Sequence, residues 1–233
     1  MRRGRKAELM HNAKIPTSID LVWHGPYVLN GSQGEDIFAA DVVSKPGIYV
    51  WTIPYEDAYL VYYVGETGTS FKKRLQEHLN VYRKGESHIY DPRRFATGER
   101  IVLWEALWGK NITPTRLQEF ERRRPELMAT LDQLLTLYRI FLLPLELESP
   151  RVNATEDAEI KIRHQKEAES TQRRVRNRIE AAITYGTRKY VPPAGPFQDL
   201  TVKHRARQPG EKPIRVRMIC PVKVLGLDPE LIA

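Results

Sequence analysis

The stretch GIYVWTIPYEDAYLVYYVGET, residues 47–67, sets five tyrosines in two apolar runs divided by a polar turn. Two readings of that pattern compete. Aromatic and β-branched residues fit a pleated, half-buried surface, so the phenols could serve strand packing alone. Alternatively, some of the hydroxyls are aimed at a reacting phosphate. The next segment, SFKKRLQEHL, carries Arg74 and His78 four positions apart, which places both on one face of a helix. Helical rotation sets them at the edge of the Phe71–Leu75–Leu79 stripe, where a side chain leans over a sheet and still meets ligand. A guanidinium fork matches phosphate oxygens and keeps its proton. An imidazole changes charge close to neutrality.

The elements that must position these groups follow from the pattern. PGIYVWTI reads as a strand opened by Pro46-Gly47, and YLVYYVGET as its hairpin partner. TSFKKRLQEHLNVY turns helical, with Thr69 or Ser70 placed to cap its start. RIVLWEALW is expected as a third strand, residues 114–137 as a long helix, and YRIFLLPLEL as a buried strand. SIDLVWHGPYVLN reads as an extended segment broken at Gly25-Pro26. From about Asn153 to Lys189 the chain is charged and helical. Its second half carries a strong apolar face of Val175, Ile179, Ala182 and Ile183. The tail after residue 190 is basic and contains one strand. The expected class is α+β, a small mostly antiparallel sheet flanked by helices.

The 233 residues suffice for one core with appendages. Lys and Arg number 37 against 29 Asp and Glu, a net charge of +8 that favours a polyanionic partner. Cys220 is the only cysteine, so the chain forms no internal disulfide and no cysteine-based zinc site. No signal peptide is read at the start, and the longest apolar run is too short to cross a bilayer. The expectation is a cytoplasmic protein without a membrane partner.

The ordered motifs resemble the GIY-YIG nuclease superfamily. The two namesake triplets match Gly47-Ile48-Tyr49 and Tyr63-Val64-Gly65, the helical arginine matches Arg74, and the histidine found in some restriction endonucleases of the family matches His78. RIEAAI supplies the metal-binding glutamate as Glu180. The resemblance runs from about Pro46 to Ile183, and the terminal asparagine of the family, or a similar residue, has no clear counterpart. It implies catalytic roles for Tyr49, Tyr63, Arg74, His78 and Glu180. It also implies Mg²⁺ (or Mn²⁺) held by Glu180, and phosphodiester hydrolysis leaving 5′-phosphate and 3′-hydroxyl ends. The stretch between Arg74 and Glu180 is unusually long. Glu159, in EDAEIKIRH, therefore stands as a rival metal ligand, set aside because it reads as part of a solvated face.

Hydrolysis of a phosphodiester requires an activated water, charge neutralisation at phosphorus and help for the leaving oxygen. Arg74 suits the second task, and Glu180 fits the role of a carboxylate holding a hard cation that leans on the substrate phosphate. Tyr49 is the candidate for handling the water. A phenol of pKa about 10 is a poor base unless positive charge lowers it, and Arg74, Lys72, Lys73 and the metal are candidates to do so. His78 is the alternative base, directly or by taking the proton from Tyr49. Tyr55, Tyr59 and Tyr62 are assigned to packing or the turn.

For double-stranded DNA, residues 172–220 hold twelve Lys and Arg against three acids. Candidate phosphate contacts are Lys72, Lys73, Arg93, Arg94, Arg173, Arg174, Lys203, Arg205 and Arg207. The expected organisation is an N-terminal arm and extended segment (1–45), a GIY-YIG-like catalytic domain with a helical insertion (46–190), and a basic C-terminal extension (191–233). The lack of a recognisable second module favours a restriction-type endonuclease. A repair or structure-specific nuclease and a non-catalytic nucleic-acid-binding module are the alternatives, and a homodimer is left open.

Overall fold

Apolar alternation gives the tyrosine-rich hairpin two different faces, and a helix covers each. In a computed structural model, which describes residues 15–29, 34–146, 158–199, 207 and 209–233, the hairpin is β3 (Gly47–Tyr55) and β4 (Ala58–Thr67). They belong to an antiparallel four-stranded sheet in the order β2 (His24–Tyr27), β7 (Arg139–Pro144), β3, β4. Tyr49 and Trp51 face one side with Phe71, Leu75 and Leu79 of α1 (Phe71–Arg83). The same core receives Phe120, Leu127, Leu131 and Leu134 of α3 (Pro114–Leu137). Ile48, Val50 and Val64 face the other side with Val175, Ile179 and Ile183 of α4 (Ala158–Thr187). The class is α+β, as expected.

The hairpin register shifts between Trp51 and Thr52, which pair with Tyr63 and Val61 and leave Tyr62 as the extra residue. A bulge of this kind turns successive side chains toward the same side. Tyr62 and Tyr63 accordingly both pack on the α1 face. Tyr62 is buried among Tyr90, Phe95, Tyr138 and Phe197, and Tyr59 lies against Phe141. Both have the packing role expected of them.

Gly47 adopts φ +154, and a Cβ there would lie 2.2 Å from the Leu143 carbonyl oxygen and 2.8 Å from Phe71 Cζ. The first triplet's glycine therefore permits close passage between β7 and α1. Ser70 caps α1, its hydroxyl accepting from the Lys73 amide at 3.2 Å.

Two expectations need correction. RIVLWEALW does not join the main sheet; only β6 (Val102–Trp104) is extended, paired with the short β5 (Ile89–Tyr90) beside the one-turn α2 (Pro92–Phe95). The alternation there reflects a satellite ribbon with Val102 and Leu103 exposed. The tail contains two strands, β8 (Arg215–Ile219) and β9 (Glu230–Ile232), and β8 pairs in parallel with β1 (Ser18–Val22). The N-terminal extended segment and the C-terminal extension thus share one three-stranded sheet, which packs on the α4 stripe. Among the described residues no helix is long and apolar enough to cross a membrane.

Candidate active site

Tyr49 is fully buried at the centre of the α1 face, and its hydroxyl is the meeting point of the two helical residues. Arg74 Nε donates to the Tyr49 oxygen at 3.1 Å, and His78 Nε2 lies 2.8 Å from the same oxygen. A guanidinium can only donate, so the phenol proton is left for His78 Nε2, which as a neutral imidazole accepts with its own proton on Nδ1. The rings of Trp51 and Tyr63 flank His78 at centroid distances of 5.6 and 5.5 Å. Tyr63 stands 6.0 Å from the Tyr49 ring. Four sequence-predicted residues are therefore brought together by the hairpin and one helix.

Gly65 makes this possible. It lies directly across from Tyr49 on β4, and a Cβ there would come within 2.4 Å of the phenol carbon and oxygen. The second triplet's glycine is the floor on which the Tyr49 phenol rests.

The electrostatics differ from the sequence expectation at Tyr49. Burial raises its pKa well above 10, Tyr63 adds to the rise, and the neighbouring Arg74 offsets only part of it. Tyr49 thus remains protonated. Burial, aided by Arg74, holds His78 down near 3, so the imidazole is neutral. Burial opposes the Arg74 charge, but Tyr49 and Glu77 more than compensate and its pKa is raised. One Arg74 terminal nitrogen donates to Glu77 at 3.1 Å, whereas Nη2 makes no hydrogen bond among the described residues. Lys72 and Lys73 lie exposed on the first turn of α1.

Glu180 arrives from α4, on the opposite face of the sheet. It is 8% exposed, and its carboxylate makes no hydrogen bond or ion pair among the described residues. Burial raises its pKa to about 7, Glu66 pushes the same way, and Arg74 pulls it down. Glu180 therefore feels both Glu66 of β4 and Arg74 of α1 across the edge strand. Glu159 is exposed and lies twenty-one residues earlier on the same continuous helix, roughly 30 Å away at 1.5 Å per residue. It shares no site with Glu180.

No family model, curated protein or solved structure matches this chain.

A buried carboxylate without a hydrogen-bond donor is an oxygen ligand lacking a partner, and a hard divalent cation fits it. Among the described residues no group of three His, Cys, Asp or Glu gathers to hold a metal.

Two residues of the arrangement escaped the sequence reading. Glu66 pairs with Arg176, Nε to Oε2 at 3.0 Å. Glu66 follows Gly65 directly, and Arg176 precedes Glu180 by one helical turn; those adjacencies were the available signals.

The candidate phosphate contacts divide. Arg93 and Arg173 are exposed, as is Arg207. Arg94 pairs with Glu99, and both arms of the Arg174 fork grip Glu211 at 2.9 and 2.6 Å. Lys203 and Arg205 lie outside the described residues. Arg178, counted in the same basic run, is fully buried and donates to the carbonyl oxygens of Lys212 and Ala233. Several of the twelve cations are thus engaged within the fold.

Proposed function

We propose that this chain is a Mg²⁺- or Mn²⁺-dependent endonuclease of the GIY-YIG type that hydrolyses phosphodiester bonds in double-stranded DNA. One observation carries the reading: the hydrogen-bonded Tyr49–Arg74–His78 cluster, with the unpartnered Glu180 carboxylate across the same strand edge.

In this mechanism the attacking water loses its proton to the Tyr49 oxygen as Tyr49 passes its own proton to His78 Nε2. A phenol that stays protonated cannot act as a preformed phenolate, so the two transfers are concerted; the neutral His78 Nε2 faces the phenol as acceptor, and the imidazolium that burial disfavours would draw on the negative charge developing at the phosphate. Arg74 keeps its charge throughout, and its unused Nη2 is the donor available to the phosphate as negative charge develops. Tyr63 walls the imidazole. A cation held by Glu180 would supply charge neutralisation at the phosphate and the departing 3′-oxygen. Cleavage of the P–O3′ bond leaves a 5′-phosphate, and the departing oxygen takes a proton from solvent water to become the 3′-hydroxyl. The exposed Lys72, Lys73, Arg93 and Arg173 are the candidates to hold the duplex backbone.

The test is nicking of supercoiled plasmid with Mg²⁺, with EDTA, and by Glu180→Gln. Cleavage only in the first condition is expected. Binding without cleavage in all three would favour a non-catalytic nucleic-acid module. Discrete fragments from intact duplex are expected of a restriction-type enzyme, the biological role proposed; cutting confined to branched substrates would replace it with a structure-specific one.

A further inference from the structure

We propose that Arg176 is a positioning residue of this site, committing the Glu66 carboxylate to an ion pair so that Glu180 alone is offered to a cation. The proposal rests on the nuclease reading for its catalytic consequence, though not for its effect on ion binding.

Arg176 and Glu180 are one turn apart on α4 and therefore share a face. Arg176 is buried, at 5% exposure, with its Nε 3.0 Å from Glu66 Oε2. Glu66 sits between Gly65, the floor beneath Tyr49, and the turn that leads into α1. That turn is laid directly over the guanidinium: a Cβ on Gly68 would lie 2.8 Å from Arg176 Nη2. Two residues later Ser70 caps the helix that carries Arg74. One buried cation thus touches the strand of the second triplet and the turn before the arginine helix, and it rises from the helix of Glu180.

The side-chain contacts of Arg176 are with Glu66 and the Gly68 turn, so its role is to set charge. Glu66 is the carboxylate that Glu180 senses most strongly. With Arg176 in place the Glu66 charge is balanced; without it, Glu66 is an unpaired charge beside Glu180, and Arg74 is left to offset both carboxylates. A dication would then be drawn between both oxygens instead of resting on Glu180, held more tightly and in the wrong place. Replacing Glu66 has the opposite effect. It releases the guanidinium one turn from Glu180, where it repels a dication.

The test measures Mn²⁺ alone binding to the full chain by titration calorimetry, without DNA, alongside single-turnover plasmid cleavage. Arg176→Met is expected to bind Mn²⁺ about tenfold more tightly, from the freed charge in a partly desolvated site, yet to cleave about 10²-fold more slowly because the cation is displaced. Glu66→Gln is expected to bind Mn²⁺ about tenfold more weakly. The double variant should return toward the parent in both readouts. A merely structural role for Arg176 would weaken ion binding in both single variants. Should Arg176→Met fail to fold, Arg176→Gln takes its place, and tighter Mn²⁺ binding is again the expected result. Unchanged Mn²⁺ affinity in Glu66→Gln, or no tightening in a folded Arg176→Met, overturns the proposal. A parent protein that binds Mn²⁺ but never nicks DNA defeats the nuclease reading instead.

Discussion

Gly65→Ala perturbs one atom beside the proposed reaction centre, and its consequence can be worked from the structure. The backbone at Gly65 is an ordinary extended strand, so alanine adds no conformational strain of its own. The added methyl would sit 2.4 Å from Tyr49 Cζ and the phenol oxygen, and 2.8 Å from Tyr63 Cε1, whereas ordinary contact begins at 3.4 Å. Tyr49 must retreat by about 1 Å. The retreat leads toward α1, where Arg74 and His78 already hold the hydroxyl at 3.1 and 2.8 Å. Neither hydrogen bond keeps its geometry through such a move. Overpacking costs typically about 1–3 kcal/mol and each lost hydrogen bond about 1 kcal/mol. A loss of about 3–5 kcal/mol is therefore expected, lowering Tm by roughly 6–20 °C in a protein of this size. A misplacement of about 1 Å in a catalytic group costs on the order of 10² in rate. Single-turnover cleavage of plasmid in saturating Mg²⁺ and thermal melting by circular dichroism measure the two effects. Gly186→Ala is the control: its Cβ would meet Leu231 only at 3.5 Å, inside α4, and alanine there is neutral or stabilising by up to about 1 kcal/mol. A Gly65→Ala protein that melts and cuts like the parent would refute the placement of Tyr49.

Arg74→Ala should lower cleavage about 10²–10³-fold while DNA affinity by fluorescence anisotropy stays within a few-fold, and Arg74→Lys should not restore the rate, because a point charge lacks the fork; near-normal turnover would sink the assignment. Glu77 holds one arm of Arg74 at 3.1 Å in a half-exposed pair worth about 0–1 kcal/mol, so Glu77→Gln should tighten DNA binding up to about fivefold without moving Tm; weaker binding would show that the pair aims Arg74 and does not compete with phosphate. Glu180→Gln should separate activity from stability. Its folded pKa of about 7 exceeds the ordinary 4.5, so its contribution is fully present below pH 4.5 and is lost as pH rises through 7. In EDTA the variant should therefore be more stable than the parent at pH 8, by on the order of 2–3 kcal/mol, and equal to it near pH 4; urea melts that show the same difference at both pH values would contradict the buried, unpartnered carboxylate.

Much of this arrangement was legible because local rules and tertiary packing agree. Residues 47–55 and 58–67 alternate toward two covered faces, and the Phe71–Leu75–Leu79 stripe fixes which way Arg74 and His78 look. The long helix at 114–137 carries its own leucine period and formed where expected. The failures share a cause. RIVLWEALW has strand composition, but composition does not specify a partner, and α3 occupies the core beneath it, leaving β6 to a two-residue neighbour. The parallel pairing of β1 with β8 joins residues nearly two hundred positions apart, a distance over which periodicity carries no information. The bulge at Tyr62 was equally invisible, since it depends on register and not on residue type. Counting cations overstated the free ones, because Arg174, Arg176 and Arg178 meet partners that only the fold brings near. The direction of the Tyr49 shift was misjudged for the same reason: sequence shows which charges are near, but not how far a phenol is taken from water.

The position of β4 in the sheet explains why these groups can cooperate at all. Tyr49 and Glu180 approach from opposite faces, so they can serve one phosphate only where the sheet ends, and β4 is an edge strand. Exposed edges invite pairing with other chains, and proteins cover them. Here the covering is partial. The 223–225 segment exchanges backbone hydrogen bonds with Tyr59, and the Asp199 amide donates to the Tyr62 carbonyl. Beyond Tyr62, among the described residues, no backbone hydrogen bond reaches the outer edge of β4. The open portion is the one that carries Tyr63, Gly65 and Glu66. A rigid duplex backbone laid across that portion would meet Arg74 from one side of the strand and Glu180 from the other, with no rearrangement of the sheet. Gly65 lies in that open portion, where a side chain would strike Tyr49.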